Sequence, residues 1–237
     1  MSDGIYFRQL LSGRDFAVGN PVATQMVNFS YLIGDPASRQ AVVVDPAYAP
    51  GELLDLIAKD DMRLAGVLVT HHHPDHVGGD LFGHALSGLA ELLGRQPVPV
   101  HVNRHEAEWV RRATGVSATD LTAHDHDEVV MVGQVPIRLL HTPGHTPGSQ
   151  CFLLDDKLVA GDTLFLQGCG RTDFPGGDPE AMYHSLCALA KLTGDPIVHP
   201  GHLYSEQPSA ALSEVRRTNY VFRPNSLEQF LAILGAR

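Results

Sequence analysis

The chain has 237 residues, 43% of them hydrophobic and 19% charged, which is enough to bury a core without disulfides. Its 17 Lys and Arg residues and 27 Asp and Glu residues give a formal charge of -10, which argues against nucleic acid or an anionic membrane as a partner. The N-terminus is charged and unlike a signal peptide, and the cysteines (Cys151, Cys169 and Cys187) are too widely spaced for a disulfide framework. These features predict a cytoplasmic protein, and the 14 histidines are the outlier in which to look for function.

Short apolar strands alternate with helical patterns in the first half of the chain. Runs of branched apolar residues predict strands at Ala41–Val44, Leu64–Thr70 and Val98–Val102. Apolar residues at helical spacing predict helices over Gly51–Asp60, through Leu86, Leu89, Leu92 and Leu93, and over Arg104–Ala113. The second predicted strand runs directly into a cluster of histidines.

The second half repeats this organisation. Strands are predicted at Val135–His141, Gln150–Leu154, Lys157–Ala160 and Ile197–Val198. Helices are expected to begin at Asp178-Pro179 and at the capping-box pattern Ser226-x-x-Gln229. In both halves, strands end in loops with His or Asp residues, which is consistent with a duplicated α/β unit around a shared site. No composition shift or long linker marks a boundary, so we predict a single domain over residues 1–237.

The strongest local motif is His71-x-His73-x-Asp75-His76, directly after a predicted strand. Three imidazoles and a carboxylate in one loop are suitable ligands for zinc, iron or manganese. Residues two apart in an extended loop point the same way, so His71 and His73 are expected to bind one ion. Asp75 and His76 would then lie near a second ion.

Three further loops strengthen this interpretation. His145 lies in a loop with two prolines and two glycines, Asp162 follows a predicted strand, and His202 follows another strand in Pro-Gly-His. A single Asp or His at a strand end is usually a cap or turn residue. Four such loops after four strands are hard to explain without a metal.

The four motifs HHHPDH, TPGHTPG, GDTLF and PGH, in this order, resemble the metallo-β-lactamase superfamily. The resemblance implies an α/β fold of the αββα sandwich type, with two mixed sheets flanked by helices and the metal site at one edge. It further implies two metal sites that share a bridging Asp162. The ligands of the first site would be His71, His73, His145 and Asp162, and those of the second site would be Asp75, His76, His202 and Asp162. Asp45 matches a strand-end Asp of the family, with a turn role as the alternative.

Two zinc ions that share Asp162 would leave room for a bridging water. Such ions lie about 3.5–4 Å apart and lower the pKa of bound water to about 7, which yields a bridging hydroxide that can attack a carbonyl. The one candidate catalytic acid, Asp75, could serve only by giving up part of its ligand role. A thiolate leaves readily without an acid, because its conjugate thiol has a pKa of about 8.5. The expected reaction is therefore thioester hydrolysis.

Within the superfamily, the stretch Gly168–Phe174 resembles the branch that contains glyoxalase II (hydroxyacylglutathione hydrolase) and persulfide dioxygenase. By this resemblance, Arg171 binds a glutathione carboxylate and Tyr204 lies nearby. A salt bridge to Asp173 and simple packing are the respective alternatives. We expect a small-molecule substrate, such as a glutathione or other thiol conjugate, and a homo-oligomer is compatible with the sequence.

The two chemistries of this branch remain open at this stage. Persulfide dioxygenases use one Fe(II), whose ligands would correspond to His71, His145 and Asp162, a triad with open positions. The stretch Pro74–Gly79 is more typical of zinc hydrolases. We therefore predict a binuclear zinc thioester hydrolase, with a mononuclear Fe(II) dioxygenase as the alternative and a non-catalytic metal-binding protein as a third reading.

Overall fold

The computed structural model describes residues 4–235. Its first eight strands are β1 (Tyr6–Leu11), β2 (Phe29–Asp35), β3 (Gln40–Val44), β4 (Arg63–Leu68), β5 (Gly79–Leu81), β6 (His84–Leu86), β7 (Val100–Asn103) and β8 (Leu121–His124). The remaining six are β9 (Val129–Val132), β10 (Val135–His141), β11 (Gln150–Leu154), β12 (Lys157–Gly161), β13 (Ile197–Pro200) and β14 (Ala210–Ala211). The α-helices are α1 (Pro21–Met26), α2 (Pro50–Lys59), α3 (Pro74–Val77), α4 (Leu89–Arg95), α5 (Ala107–Thr114), α6 (Pro179–Leu189), α7 (Leu212–Thr218) and α8 (Leu227–Leu234).

The strands form two six-stranded mixed sheets and a separate hairpin. The first sheet has the order β1-β2-β3-β4-β7-β8, and the second has the order β14-β13-β12-β11-β10-β9. The described strands of the first sheet include parallel pairs such as β3 with β4, and β12 pairs in parallel with β13 in the second. Strands β5 and β6 form the antiparallel hairpin.

The sheets pack face to face, and helices cover both outer faces. Because side chains alternate across a strand, Tyr31 and Ile33 of β2 join the core between the sheets, whereas Leu32 joins the core under α2 and α4. On the other side, Met182 of α6 and Phe230 of α8 pack on the second sheet. The predicted αββα sandwich with two mixed sheets is confirmed.

Most predicted elements are confirmed, with three corrections at their boundaries. Leu86 belongs to strand β6 and not to a helix, because the chain makes a hairpin before α4 begins at Leu89. The helix predicted from Arg104 begins at Ala107, since the three preceding residues form a turn. The loop after β4 is not extended throughout: Pro74 fits the first position of a helix, and Pro74–Val77 form one helical turn.

Several elements were not predicted: β1 and β2, the β5–β6 hairpin, β8, β9, β14, α1 and α7. Within residues 4–235, no helix combines the length and hydrophobicity needed to cross a bilayer. The single domain predicted over residues 1–237 stays a prediction, and residues 1–3 and 236–237 lie outside the described part.

Candidate metal centre

The sheet topology brings the four motifs to one edge of the sandwich. The carboxyl ends of parallel strands β3 and β4 carry Asp45 and the loop with His71, and those of β12 and β13 carry Asp162 and His202. The loop between β10 and β11 adds His145. Loops at the carboxyl ends of parallel strands are the usual ligand sites of α/β proteins. The structure thus brings all seven predicted ligands together.

The first group of candidate ligands consists of His71, His73 and His145. One ring nitrogen from each lies within 4.8 Å of the others, and the ring centroids are 4.6–4.8 Å apart. The Nε2 atoms of His71 and His145 are buried without a hydrogen-bond partner. Buried polar atoms without partners are rare because each costs free energy. The lone pairs of these two Nε2 atoms are therefore suited to bind an electrophile such as a metal ion.

The second group consists of Asp75, His76 and His202. The Nε2 atoms of the two histidines are 3.2 Å apart, and they lie 3.6 and 3.4 Å from Asp75 Oδ2. In a tetrahedral site with bonds of about 2.1 Å, neighbouring ligand atoms are roughly 3.4 Å apart. The spacing of this group therefore fits a metal ion.

Asp162 lies between the two groups. Its carboxylate is 3.6 Å from His145 Nε2 on one side, and 3.5 and 3.3 Å from the Nε2 atoms of His76 and His202 on the other. Its Oδ1 is buried without a hydrogen-bond partner. A Cβ at Gly201 would lie only 2.1 Å from this oxygen, so glycine is needed there for the close approach.

Hydrogen bonds at Nδ1 orient the histidines toward the centre. Carbonyl oxygens, which can only accept, lie 2.7 Å from Nδ1 of His145 (Arg171 O) and of His202 (Met26 O). Nδ1 must therefore carry the proton in these rings, which leaves the lone pair of Nε2 directed inward.

Asp45 performs the same task for the loop after β4. Its carboxylate accepts hydrogen bonds from the Thr70 N–H, the Thr70 hydroxyl and His76 Nδ1. The Thr70 hydroxyl in turn accepts from His71 Nδ1, at 3.0 Å. Of the two roles considered for Asp45, the structure shows the one that holds the histidine loop.

The two groups differ in charge when no metal is present. Burial and the neighbouring imidazoles lower the pKa of His71 well below its usual value and that of His73 to about 3, so both rings are neutral. Burial also disfavours a charged His76, but the carboxylates of Asp162 and Asp75 outweigh it and raise the pKa of His76 to about 10. Against its burial, Asp162 has a lowered pKa because His202 and His76 are close.

Asn28 was not predicted, and its side-chain Nδ2 contacts all three members of the second group. Its Nδ2 donates to Asp75 Oδ2 at 3.0 Å and lies 3.2 Å from His76 Nε2. The Tyr48 hydroxyl donates to Asn28 Oδ1 at 2.6 Å, which fixes the orientation of the amide. A single Asn before a strand has no sequence signal that separates it from a turn residue.

Glu106 is a second residue that the sequence did not single out. Its carboxylate is buried and accepts hydrogen bonds from the His72 N–H (2.8 Å), His72 Nδ1 (2.6 Å) and the Gly148 N–H (2.7 Å). It therefore joins the loop of His71 and His73 to the loop of His145. At the start of a predicted helix, a Glu is normally read as a favourable partner of the helix dipole.

The metal centre opens into a cavity of about 710 Å³ whose lining includes Arg171 and Tyr204. The Arg171 guanidinium forms a two-pronged, exposed salt bridge with Asp173 and lies 4.4 Å from the centre of the Phe174 ring. The Tyr204 ring stacks on His202 with a centroid distance of 4.7 Å. Burial raises the pKa of the Cys169 thiol to about 12, so a nucleophilic thiolate is disfavoured there.

Comparison with known proteins defines the family. A model described as the metallo-beta-lactamase superfamily matches residues 23–202. The chain belongs to the metallo-beta-lactamase superfamily.

The relatives divide between hydrolases and a dioxygenase. The probable polyketide biosynthesis zinc-dependent hydrolase BaeB of Bacillus velezensis is 30% identical, over 86% of this chain and 85% of that protein. Mitochondrial persulfide dioxygenase ETHE1 of Homo sapiens is 36% identical, over 87% and 76%. Hydroxyacylglutathione hydrolase of Rhodopseudomonas palustris is 38% identical, over 75% and 63%. The crystal structure of ETHE1 from Myxococcus xanthus superposes with a TM-score of 0.79 at 31% identity, over 97% of this chain and 90% of that one. These relatives support an enzyme of the hydrolase and oxygenase type, with candidate zinc or iron ligands at its metal centre.

Proposed function

We propose that the protein is a thioester hydrolase that binds two zinc ions. The observation that carries this proposal is the position of Asp162, whose carboxylate lies within 3.6 Å of histidines from both ligand groups. A carboxylate in this position can serve two ions at once. The similarity to zinc-dependent and glutathione-thioester hydrolases supports the same chemistry.

The two ligand groups would each hold one ion, with Asp162 common to both. The first ion would take His71, His73 and His145, and the Nε2 atoms of His71 and His145 are buried without a hydrogen-bond partner. The second would be held by the remaining three ligands, Asp75, His76 and His202. When bound, such ions act as Lewis acids and lower the pKa of coordinated water to about 7.

The protein itself orients these ligands and restricts water. The hydrogen bonds at Nδ1 keep the rings from turning, and outer partners of this kind typically affect metal affinity or activity 10–100-fold. Much of the cavity surface is apolar, with Phe82, Trp109 and Phe174 among its lining residues. A cavity with apolar walls strengthens the electrostatic interactions of a bound thioester carbonyl.

The leaving group is proposed to be a thiolate. Asp75 is buried, and its Oδ2 is engaged by Asn28 and close to His202, so we assign it as a ligand rather than a proton donor. A thiolate departs without a proton, which fits a site of this kind. Arg171 and Tyr204, which line the cavity, are proposed to contact the thiol carrier, such as glutathione.

Oxidation of a persulfide is the second candidate function. It is favoured by the structural similarity to ETHE1 of Myxococcus xanthus and by the identity with the human enzyme. In this case a single Fe(II) would take His71, His145 and Asp162. A protein that binds metal and turns over neither substrate class would match the third, non-catalytic reading.

The assay that tests the proposal compares the zinc-loaded and iron-loaded forms. We expect the zinc-loaded protein to release free thiol from lactoylglutathione or a simple acyl thioester, measured with a thiol reagent. Oxygen uptake with glutathione persulfide by the iron-loaded form, without thiol release by the zinc-loaded form, would contradict it.

A further inference from the structure

The β5–β6 hairpin has an unusual turn. Its two central residues, Phe82 and Gly83, both have positive φ angles, 53° and 86°. Two-residue turns with this backbone favour Asn-Gly, because bulky side chains are strained in the left-handed region. Phe82 is also 86% exposed, so it gains almost no packing in return.

Both properties of Phe82 oppose folding and solubility. Residues held in strained backbone conformations cluster at active sites and ligand sites. Phe82 and the preceding Leu81 line the same cavity as the metal centre. The residue is therefore placed where a substrate could cover it.

Close packing holds the hairpin against the helix that carries another cavity residue. A Cβ at Gly79 would lie 2.4 Å from Ala113 O of α5, so the strand and the helix are in direct backbone contact. Trp109 of α5 lines the cavity and stacks on His72 at a centroid distance of 5.0 Å. Phe82 and Trp109 line the same cavity, and these two residues together are called the aromatic wall.

The charge near this wall disfavours an anionic ligand group. Asp80 lines the cavity and accepts the Gly83 N–H at 3.0 Å. Among the residues that line the cavity, Arg171 is the only Lys or Arg, and its guanidinium lies over Phe174 and beside Asp173. A group that lies against the aromatic wall should therefore be apolar and uncharged.

We propose that the aromatic wall binds the acyl chain of the substrate, and that this chain is apolar. The inference rests on the proposed thioester hydrolase function and specifies its substrate class. Burying one methylene group changes affinity about fourfold, so a longer apolar chain should bind more tightly than a short one. Phe82 is then a specificity-determining residue that contacts the substrate.

A binding experiment tests the wall without requiring turnover. Trp109 is the only tryptophan of the chain, so its fluorescence reports ligands in this cavity. Octanoate and acetate, both carboxylates, are titrated into the zinc-loaded protein. We expect octanoate to bind at least tenfold more tightly than acetate, and Phe82→Ser to remove most of this difference.

Two further variants serve as controls. Phe82→Leu should restore the preference for octanoate, whereas Met131→Ser, which changes an exposed apolar residue of β9, should behave as wild type. Equal affinities for the two acids, or a preference unchanged by F82S, would overturn the proposal.

Kinetics separate this proposal from the proposed function. Acetyl and octanoyl thioesters of N-acetylcysteamine are compared in wild type and F82S. We expect the loss in kcat/KM of F82S to be at least threefold larger for the octanoyl ester, and to arise in KM. Turnover without any chain-length preference would overturn the acyl wall alone. An octanoate preference in the binding experiment without thioester turnover would overturn the hydrolase alone.

Discussion

The two ligand groups of the metal centre are built differently. The first contains only imidazoles, of which His71 and His73 are neutral, and two of its Nε2 atoms lack partners. The second pairs a carboxylate with two imidazoles, and Asn28 donates a further hydrogen bond to it. Its members can satisfy one another as ion pairs. We therefore expect the first group to depend on a bound metal ion, whereas the second should persist without one.

This difference predicts unequal occupancy. Leaving a buried polar atom without a partner costs roughly 1–3 kcal/mol, so an ion at the first group relieves a cost that the second group does not carry. An ion at the second group must instead displace the protons that its ion pairs hold. We therefore expect the first ion to bind more tightly and to contribute more to stability.

The largest effect is expected from His73→Ala, which removes a ligand of the first group. The variant should lose the tightly bound ion and at least about a thousandfold in activity, since even outer partners of metal ligands matter 10–100-fold. Metal analysis and thioester turnover measure both consequences. Full activity in this variant would refute the assignment of the first group.

Asp75→Asn sharpens the comparison by weakening only the second group. The amide lacks the negative charge, so we expect about one ion per chain to remain, with hydrolysis reduced roughly a hundredfold or more. Metal content and thiol release are measured on the same preparation. A variant that loses an ion and keeps full activity would instead support a mononuclear centre, as in the dioxygenase alternative.

Glu106→Gln tests whether the Glu106 carboxylate holds the loop of His71 and His73 to the loop of His145. The uncharged amide holds three N–H groups less well, so we expect a 10–100-fold loss in metal affinity or in kcat/KM. Glu108→Gln is the matched control, because this residue lies two positions further along, in helix α5, and has a side chain that is 54% exposed. If the two variants behave alike, Glu106 does not position the ligand loops.

A smaller effect is expected at the rim of the cavity, where the ligand groups themselves are unchanged. The exposed pair of Arg171 and Asp173 contributes little to stability, so the guanidinium can exchange its partner for a substrate carboxylate. Arg171→Ala should raise KM for a glutathione thioester roughly fivefold, with kcat nearly unchanged. An unchanged KM would leave the salt bridge as the only role of Arg171.

A histidine outside both groups should leave the metal centre unaffected and change only the stability of the fold. His199 is 7% exposed, and burial, assisted by Lys157, lowers its pKa to about 4. Between about pH 6.5 and 4 the unfolded chain takes up this proton and the folded chain does not, so the free energy of unfolding falls as the pH falls.

His199→Gln isolates this contribution. Relative to wild type, the variant should lose about 2–3 kcal/mol less of its unfolding free energy between pH 7 and pH 4. Urea denaturation at a series of pH values provides the comparison. Parallel curves for the two proteins would show that His199 is protonated in the folded state.

The sequence predicts most strands and helices and all the candidate metal ligands, but it does not predict the residues that hold those ligands in place. Strands such as β3, β11 and β12 are recognisable because their apolar runs are almost entirely buried, and His71 and its neighbours because ligand types are concentrated in four short motifs. Strand β2 is also buried, but the polar Ser30 interrupts its apolar run, and the sequence does not predict it.

Asn28 and Glu106, which contact the ligands or their loops, can be identified only from the structure because their partners are distant in the chain. Asn28 contacts Asp75 across 47 positions, and Glu106 contacts Gly148 across 42. A lone Asn or Glu has many alternative uses, so its type alone carries no information. Phe82 was hidden for another reason: an aromatic residue between short runs normally predicts a buried strand, whereas here it occupies a turn.

The central claim is that both ligand groups bind a metal ion, and metal content per chain tests it most directly. The measurement uses wild type and D75N purified without added metal or chelator. We predict about two zinc ions per chain in wild type and about one in the variant. One iron per chain in both proteins, with oxygen uptake on glutathione persulfide, would contradict the binuclear hydrolase.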